Sequence, residues 1–323
     1  MTSAYAQMTS LLGLDPATYQ RHLLHGPERS YAETNCYTDI LIEMVHAAGG
    51  EPLAAMGAAV RIDFEGDQWT FFKPPAEDLE LLFGIDIHEM QPYRPLPDQT
   101  AEQIEQGRTL IVELDSWYLP DTAATSYRRE HVKSSAVMEA IDRAGERLRY
   151  FHGTGLHELS GEDYRGVFRL ADGFSEDLLP PYTELVRFDA GRRLEGAELR
   201  EAARARLRHH LARRPPENPF ARFAEQLERE LPRLLEGSAA DYHAYAFATV
   251  RMAGSAFEAT ASHVDWLALG TPAISGALAR IVEGCKVLSF RLARRRPFQL
   301  GPVLEGLAGA WDEAMTRLDD AVG

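Results

Sequence analysis

Residues 36–50 read CYTDILIEMVHAAGG, and this stretch decides how the N-terminal half of the chain folds. Its apolar residues recur at i, i+3, i+4, i+7 and i+8, a spacing that places them on one face of a helix. Gly49 and Gly50 then end that helix. The spacing predicts a helix that begins at Cys36 and buries one face. That face consists of Tyr37, Ile40, Leu41, Met44 and Val45.

Cys36 stands where this helix begins, and the position favours chemistry at sulfur. The positive end of the helix dipole and the free backbone N–H groups of the first turn favour a thiolate over a thiol. The same N–H groups, together with the side chain of Asn35, would hold an oxyanion. We therefore predict that Cys36 is a nucleophile. The alternative is a small core cysteine beside a helix start.

The composition is typical of a globular protein that needs no bound cofactor. The chain has 323 residues, 45% apolar and 26% charged, and no apolar run approaches the ~18 residues of a membrane span. No CxxC pair, HExxH spacing, Walker or Rossmann glycine pattern suggests a metal or a nucleotide. Residues 1–14 lack the basic and apolar regions of a signal peptide, so none is expected, and Cys285 is predicted as a small core residue. We expect a cytoplasmic protein of bacterial type that binds no membrane.

The net charge of -15 argues against nonspecific binding of nucleic acid. Basic residues are nonetheless clustered in two places, one around Arg204 and Arg208 and the other around Arg294 and Arg295. Such clusters are either solvated helix faces or docks for acidic partners.

The order of the predicted elements indicates an α+β domain over residues 1–195, with an antiparallel sheet, followed by a helical bundle over residues 196–323. The predicted strands are 59–64, 68–73, 85–90, 109–115, 132–141, 147–152 and 182–188. The predicted helices after the first are 76–83, 98–106, 160–168, 195–213, 219–237, 239–268, 273–296 and 302–321.

A thiol nucleophile needs a base within hydrogen-bond reach, and the base needs an orienting group. His131 stands immediately before the strand 132–141 and is the predicted base. The next strand ends in His152, and Asp142 stands in the turn between the two strands. Either one is a candidate for the orienting group. The alternatives are a solvated loop histidine, a turn aspartate and a histidine that holds a loop.

Two groups of polar and aromatic residues are candidate walls of a substrate pocket. One stands at the end of strand 109–115, and the other lies on a predicted helix where Arg251 and Glu258 share a face. The alternatives are packing at a strand exit and satisfied polar pairs, such as Arg251 with Glu258, inside the bundle. The predicted substrate-binding residues are Asn35, Asp115, Trp117, Tyr118, His243, Arg251 and Glu258.

Several of these motifs resemble those of known bacterial families. Three features resemble the butirosin biosynthesis protein H family, mainly over the N-terminal domain: Asn35-Cys36-Tyr37, the strand-end segment ELDSWYLP at 113–120, and His131 before a strand. Along nearly the whole chain, the sequence is similar to bacterial domain-of-unknown-function family 1839. Members of that family tend to be encoded beside carrier proteins and amino acid–carrier protein ligases. Its hallmarks here are the segments 130–134, 150–153, 159–163 and 242–266.

The resemblance implies a papain-like cysteine domain that acts as an acyltransferase. An aminoacyl group would pass from the phosphopantetheine of an acidic carrier protein to Cys36, and from there to a small amine, with His131 as the base. The relatives place an aspartate on the strand after the histidine, where this chain has Tyr150-Phe-His152-Gly, so the orienting group stays open. The alternatives are a cysteine hydrolase (amidase, peptidase or thioesterase) on the same site and a noncatalytic protein that binds the carrier.

Overall fold

The computed structural model describes residues 8–170, 174, 178–294 and 299–323. These residues group into two compact units. The first comprises the chain up to residue 25, residues 36–51 and residues 79–193, and the second comprises residues 26–35, 52–78 and 194 onward. The last crossing between the units, at residues 193–194, falls beside the predicted boundary. Two earlier segments also belong to the second unit.

The described part of the chain contains nine strands and ten α-helices. The strands are β1 (Thr9–Ser10), β2 (Phe64–Glu65), β3 (Gln68–Trp69), β4 (Asp86–Glu89), β5 (Thr109–Asp115), β6 (Lys133–Asp142), β7 (Arg147–His152), β8 (Gly155–Ser160) and β9 (Thr183–Arg187). The helices are α1 (Cys36–Ala47), α2 (Ala76–Phe83), α3 (Leu96–Glu105), α4 (Glu162–Val167), α5 (Gly196–Leu211), α6 (Pro219–Glu236), α7 (Ala239–Ala246), α8 (Met252–Trp266), α9 (Pro272–Ala293) and α10 (Gly301–Val322).

A seven-stranded antiparallel sheet forms the centre of the first unit, which confirms the predicted α+β class. Its order is β4–β9–β5–β6–β7–β8, and β1 pairs with the second half of β6. Both faces are covered, so most residues of β5 and β6 are buried. Leu110, Val112 and Leu114 of β5 face a core that includes residues of α3 and α4. The other face of the sheet packs against α1.

Helix α1 begins at Cys36 and ends at Ala47, as the sequence predicts. Gly49 has a positive φ of 81°, and the N–H of Gly50 donates to the carbonyl of Val45, which closes the last turn. The polar side of the helix is held by His25, which is buried against Glu43 and Asp39. Burial opposes the charged form of His25, but its bonds to Asp39 and Glu43 outweigh burial and raise its pKa to about 9.

Two predicted segments fold differently from the expectation. Residues Pro52–Arg61 form a 3₁₀ helix, so the predicted hairpin is limited to β2 and β3. The run is rich in small residues, and Gly57 leaves room for the ring of His263, whose Nε2 would lie 2.6 Å from an added Cβ. Strand β8 was not predicted, and it shortens the helix expected over 160–168 to α4. Leu156 and Leu159 of β8 are both buried but stand three residues apart, which breaks the alternation of a strand.

The second unit is mainly helical and contains α5 to α10. Asn218 caps α6 by accepting from the N–H groups of Phe220 and Ala221, in the position the sequence indicates. The predicted helix 239–268 is divided into α7 and α8 by one π-helical turn, Phe247–Arg251. None of the described helices combines the length and the apolarity that crossing a bilayer requires.

Candidate functional site

Cys36 is the first residue of α1, and its side chain is half-buried. Its Sγ lies 3.8 Å from the Oγ of Ser135 on β6. The preceding residue, Asn35, is buried and donates from Nδ2 to the carbonyl of Phe72 at 2.9 Å. The amide predicted to hold an oxyanion therefore already has a structural partner.

The sheet face below Cys36 carries a row of polar side chains. Ser135 pairs with Glu113 across β6 and β5, and Asp115 follows two residues further along β5, so all three share a face. Tyr37, the residue after Cys36, donates its hydroxyl to Glu184 of β9 at 2.6 Å. Tyr182 donates to the other oxygen of Glu184 at 3.1 Å. Burial and Glu184 raise the pKa of Tyr37, so its hydroxyl remains a donor.

His131 forms a pair with Asp115 on this same face. The ring Nδ1 lies 2.6 Å from Oδ2 of Asp115, and the ring stacks on Trp117 with a centroid distance of 4.6 Å. The carboxylate also accepts from the backbone N–H of Trp117 at 3.0 Å. Asp115 thus occupies the place of an orienting group, although the sequence indicated it as a substrate-binding residue. The antiparallel register was the missing signal, because it pairs Asp115 with Lys133, two residues from His131.

Cys36 and His131 are not joined by a hydrogen bond. Within the described chain, Ser135 is the one hydrogen-bond partner of Sγ. His131 stands four residues before Ser135, which corresponds to roughly 13 Å along an extended chain. The two predicted catalytic residues therefore face the same side of the sheet at different positions along it.

Asp142 has a structural role at the turn between β6 and β7. Its carboxylate accepts from the N–H of Gly145 at 2.8 Å and from Nη2 of Arg147 at 3.0 Å. The Gly145 N–H is the largest cause that lowers the pKa of Asp142, and Arg147 adds to it against a smaller opposing effect of burial. Asp142 stands at the far end of β6 from Ser135, so the structure does not bring it to Cys36 or His131.

His152, the other candidate orienting group, belongs to a different cluster. Its Nε2 lies 2.6 Å from Oγ of Ser134, and its Nδ1 lies 2.5 Å from Oδ2 of Asp121. Tyr150 donates its hydroxyl to the second oxygen of Asp121. Because successive residues of a strand alternate, Ser134 faces the side of the sheet opposite to Ser135 and Cys36. Sequence reasoning selected His152 but missed Ser134 and Asp121.

A cavity of about 380 Å³ opens beside the His131–Asp115 pair. Charged residues on its wall are Glu113, Lys133 and Arg169, and Val132, Leu179 and Tyr182 contribute apolar surface. A second cavity, of about 210 Å³, shares Asp115 and His131 and is also lined by Tyr118. Trp117 and Tyr118 thus both lie at the strand exit, where the sequence predicted a pocket wall.

The substrate-binding residues predicted on the helices lie in the second unit. Arg251 pairs with Glu33 at 2.9 Å rather than with Glu258. The carboxylate of Glu258 accepts from the N–H groups of Ser30 and Tyr31, each at 2.8 Å. These bonds fix the segment 26–35 on α8. His243 is exposed, and its ring is tilted by 54° relative to that of Tyr242, with the ring centres 5.1 Å apart.

The basic clusters are partly engaged within the second unit. Arg208 donates from Nε to the carbonyl of Val322 at 2.7 Å, whereas Arg204 is half-buried on the same helix. The guanidinium of Arg294 lies 4.1 Å from the ring centre of Phe290. Arg295 lies outside the described residues.

The structure defines the class of the protein: it has an α+β unit, whose first α-helix begins with a cysteine, and a helical unit. The chain belongs to the DUF1839 family. The model of the DUF1839 N-terminal domain matches residues 20–188, and that of the DUF1839 C-terminal domain matches residues 196–320. These matches confirm the family stated from the sequence. No curated protein matches the chain.

Proposed function

We propose that this protein is an acyltransferase that accepts an aminoacyl group from the phosphopantetheine arm of a carrier protein on Cys36 and passes it to a small amine. One observation carries the proposal. The half-exposed thiol at the start of α1 faces the same side of the sheet as the His131–Asp115 pair.

The first step is a thioester exchange. The sulfur of Cys36 attacks the carbonyl carbon of the aminoacyl thioester, a new C–S bond forms, and the pantetheine thiol leaves with the proton lost by Cys36. The two thioesters are similar in energy, so the step needs positioning more than driving force. Cys36 stands at the N-terminal end of α1, where the positive end of the helix dipole favours the negative charge of the tetrahedral oxyanion.

His131 acts in the second step. Because Asp115 accepts from Nδ1–H, the proton stays on that nitrogen and Nε2 is free to act as a base. Nε2 takes a proton from the attacking amine, the C–N bond of an amide forms as the C–S bond breaks, and the sulfur of Cys36 leaves with that proton as a thiol. Because His131 and Cys36 lie at different positions along the sheet, the acyl group, the amine and bridging water occupy the space between the sulfur and the imidazole, and the proton passes through that water. The cavity beside His131 supports this assignment, since its mixed charged and apolar wall suits a pantetheine arm.

The test is a mass measurement on the intact protein. The protein is incubated with glycyl-N-acetylcysteamine, a small thioester that carries the end group of pantetheine, and then with glycyl-loaded carrier protein. We expect a glycyl adduct on the wild type that is absent from Cys36→Ala. Adduct decay that speeds up with an added amine supports transfer, whereas decay to free glycine regardless of the amine indicates a hydrolase. No adduct from either donor would overturn the proposal.

The chain offers a matched control in its other cysteine. Cys285 is fully buried, and burial raises the pKa of its thiol to about 12. The variant Cys285→Ala should therefore form the adduct as the wild type does. Iodoacetamide at pH 8 should alkylate Cys36 at least 100-fold faster than Cys285, because the thiolate is the reacting species. Equal rates would show that the thiol of Cys36 is not accessible to a substrate.

A further inference from the structure

Ser134, His152 and Asp121 form a continuous chain of hydrogen bonds on the sheet face opposite to Cys36. Oγ of Ser134 lies 2.6 Å from Nε2 of His152, and Nδ1 of the same ring lies 2.5 Å from Oδ2 of Asp121. Since an aspartate carboxylate accepts, Nδ1 carries the ring proton, and Nε2 accepts from the serine hydroxyl. This is the hydrogen-bond order of a nucleophile, a general base and an orienting carboxylate.

Rigid elements hold the three side chains. Ser134 stands near the start of β6, and His152 stands at the end of β7, which pairs with β6. Asp121 lies in a 3₁₀ turn, Pro120–Thr122, and its second oxygen accepts from the hydroxyl of Tyr150. Burial raises the pKa of Asp121, but the hydrogen bond and charge of His152 outweigh it and keep this pKa below its usual value. The carboxylate is therefore charged under ordinary conditions.

The exposure of the three side chains suits a serine nucleophile, because the base and the carboxylate are buried and the serine is only half-buried. The side chains of His152 and Asp121 are only 9% and 10% exposed, so their interaction is sheltered from water. Ser134 is half-buried and so reaches solvent on one side. The ring of His152 cannot turn freely, because Ser134 and Asp121 engage both of its nitrogens.

We infer that Ser134, His152 and Asp121 form a second acyl-transfer centre, a serine-type esterase or thioesterase site distinct from Cys36. Oγ of Ser134 attacks the carbonyl carbon of a small ester or thioester, and its proton passes to Nε2 of His152. The leaving alcohol or thiol departs with that proton, and an acyl-Ser134 ester remains. Water then adds through His152, which releases the carboxylic acid and restores the serine. The centre depends neither on Cys36 nor on a carrier protein.

A fluorophosphonate probe tests the inference directly. In its reaction, Oγ of Ser134 forms a bond to phosphorus, fluoride leaves, and His152 takes the serine proton. The neighbouring serine supplies a matched control, since Ser135 differs from Ser134 by one residue and faces the other side of the sheet. We expect peptide mapping to locate the label on Ser134 in the wild type and in Ser135→Ala. Ser134→Ala should carry no label.

The second measurement is the hydrolysis of p-nitrophenyl acetate. Ser134→Ala should lose the enzyme-dependent rate, and Asp121→Asn should lower kcat by about 10⁴-fold with little change in KM, as loss of the orienting carboxylate does in such a triad. Thermal unfolding of each variant confirms that it folds. A purely structural role for Asp121 would shift Tm without this split between kcat and KM. Absence of label on the wild type, or label that persists in Ser134→Ala, would overturn the inference.

Discussion

The first unit contains two histidine–aspartate pairs that are alike in geometry and opposite in surroundings. His131 bonds Asp115 at 2.6 Å, and His152 bonds Asp121 at 2.5 Å, in both cases through Nδ1. The side chain of His131 is 66% exposed, and that of His152 is 9% exposed. The exposed pair opens on a cavity, but Nε2 of its ring reaches no nucleophile in the described chain. The buried pair already holds Ser134.

This difference shows that a hydrogen-bonded histidine–aspartate pair does not by itself define a catalytic site. An exposed pair is screened by water and contributes little to stability, but substrates can reach it. A buried pair interacts strongly in a low dielectric, yet it serves catalysis only where one end meets solvent. Ser134 provides that end for the second pair, whereas the first pair depends on a substrate to connect it with Cys36.

The two histidine–aspartate pairs should differ most in how much each contributes to the free energy of unfolding. His152→Ala leaves the buried carboxylate of Asp121 without its imidazole hydrogen-bond donor, and we expect the free energy of unfolding to fall by about 3–5 kcal/mol. His131→Ala removes an exposed partner, and we expect a loss of about 1 kcal/mol or less. Urea denaturation of the two variants and the wild type measures both values. Similar losses for the two variants would show that burial does not distinguish the pairs.

His25 is a third histidine to compare with the two pairs, because it is buried with two carboxylates and without a nucleophile. Asp39 and Glu43 contact its ring, and Tyr19 and the backbone of His22 also bond to Glu43. Its pKa is raised from 6.5 to about 9, so its stabilising effect is complete below pH 6.5 and is lost as the pH rises through 9. A shift of this size corresponds to about 3 kcal/mol.

Urea denaturation between pH 6 and pH 10 tests this expectation. The stability of the wild type should fall across the interval, and His25→Gln should remove most of the slope, since glutamine does not titrate. Parallel slopes for the wild type and the variant would mean that His25 is not the group that loses its proton. The result would also show how strongly a buried histidine–carboxylate cluster responds to pH without any catalytic role.

Much of the fold follows from local patterns in the sequence. The run from Tyr37 to Val45 keeps a helical period, and β5 contains the apolar segment 110–112, so both elements were predicted within a residue or two. Strand β8 was not predicted because its buried residues do not alternate, and the 3₁₀ helix at residues 52–61 was not predicted because it packs against a residue distant in the chain. Leu156 and Leu159 are buried by the pairing of β8 with β7, and Gly57 is matched to His263.

The candidate sites depend on the register between neighbouring strands, which cannot be read from the sequence. Ser134 and Ser135 are identical neighbours, and only the alternation of β6 within the sheet decides that one meets His152 and the other meets Cys36. An irregularity between Met138 and Ala140 also shifts the pairing of β6 with β7. Asp121 gave no signal of its own, because it reaches His152 from a turn rather than from a strand.

The smallest effect that we expect is the salt dependence of the stability that each pair contributes, and this dependence measures its electrostatic part. Salt shortens the Debye length from about 10 Å at 0.1 M to about 3 Å at 1 M, which screens exposed charges and affects buried ones much less. At constant pH, the stability difference between the wild type and His131→Ala should shrink by a few tenths of a kcal/mol as NaCl rises over this range. The stability difference that remains at 1 M NaCl would represent the stacking of His131 on Trp117. The difference for His152→Ala should stay constant within error, because the side chain of His152 is only 9% exposed. If salt reduced both differences equally, the ring of His152 would be accessible to solvent, and Ser134 would have no sheltered base.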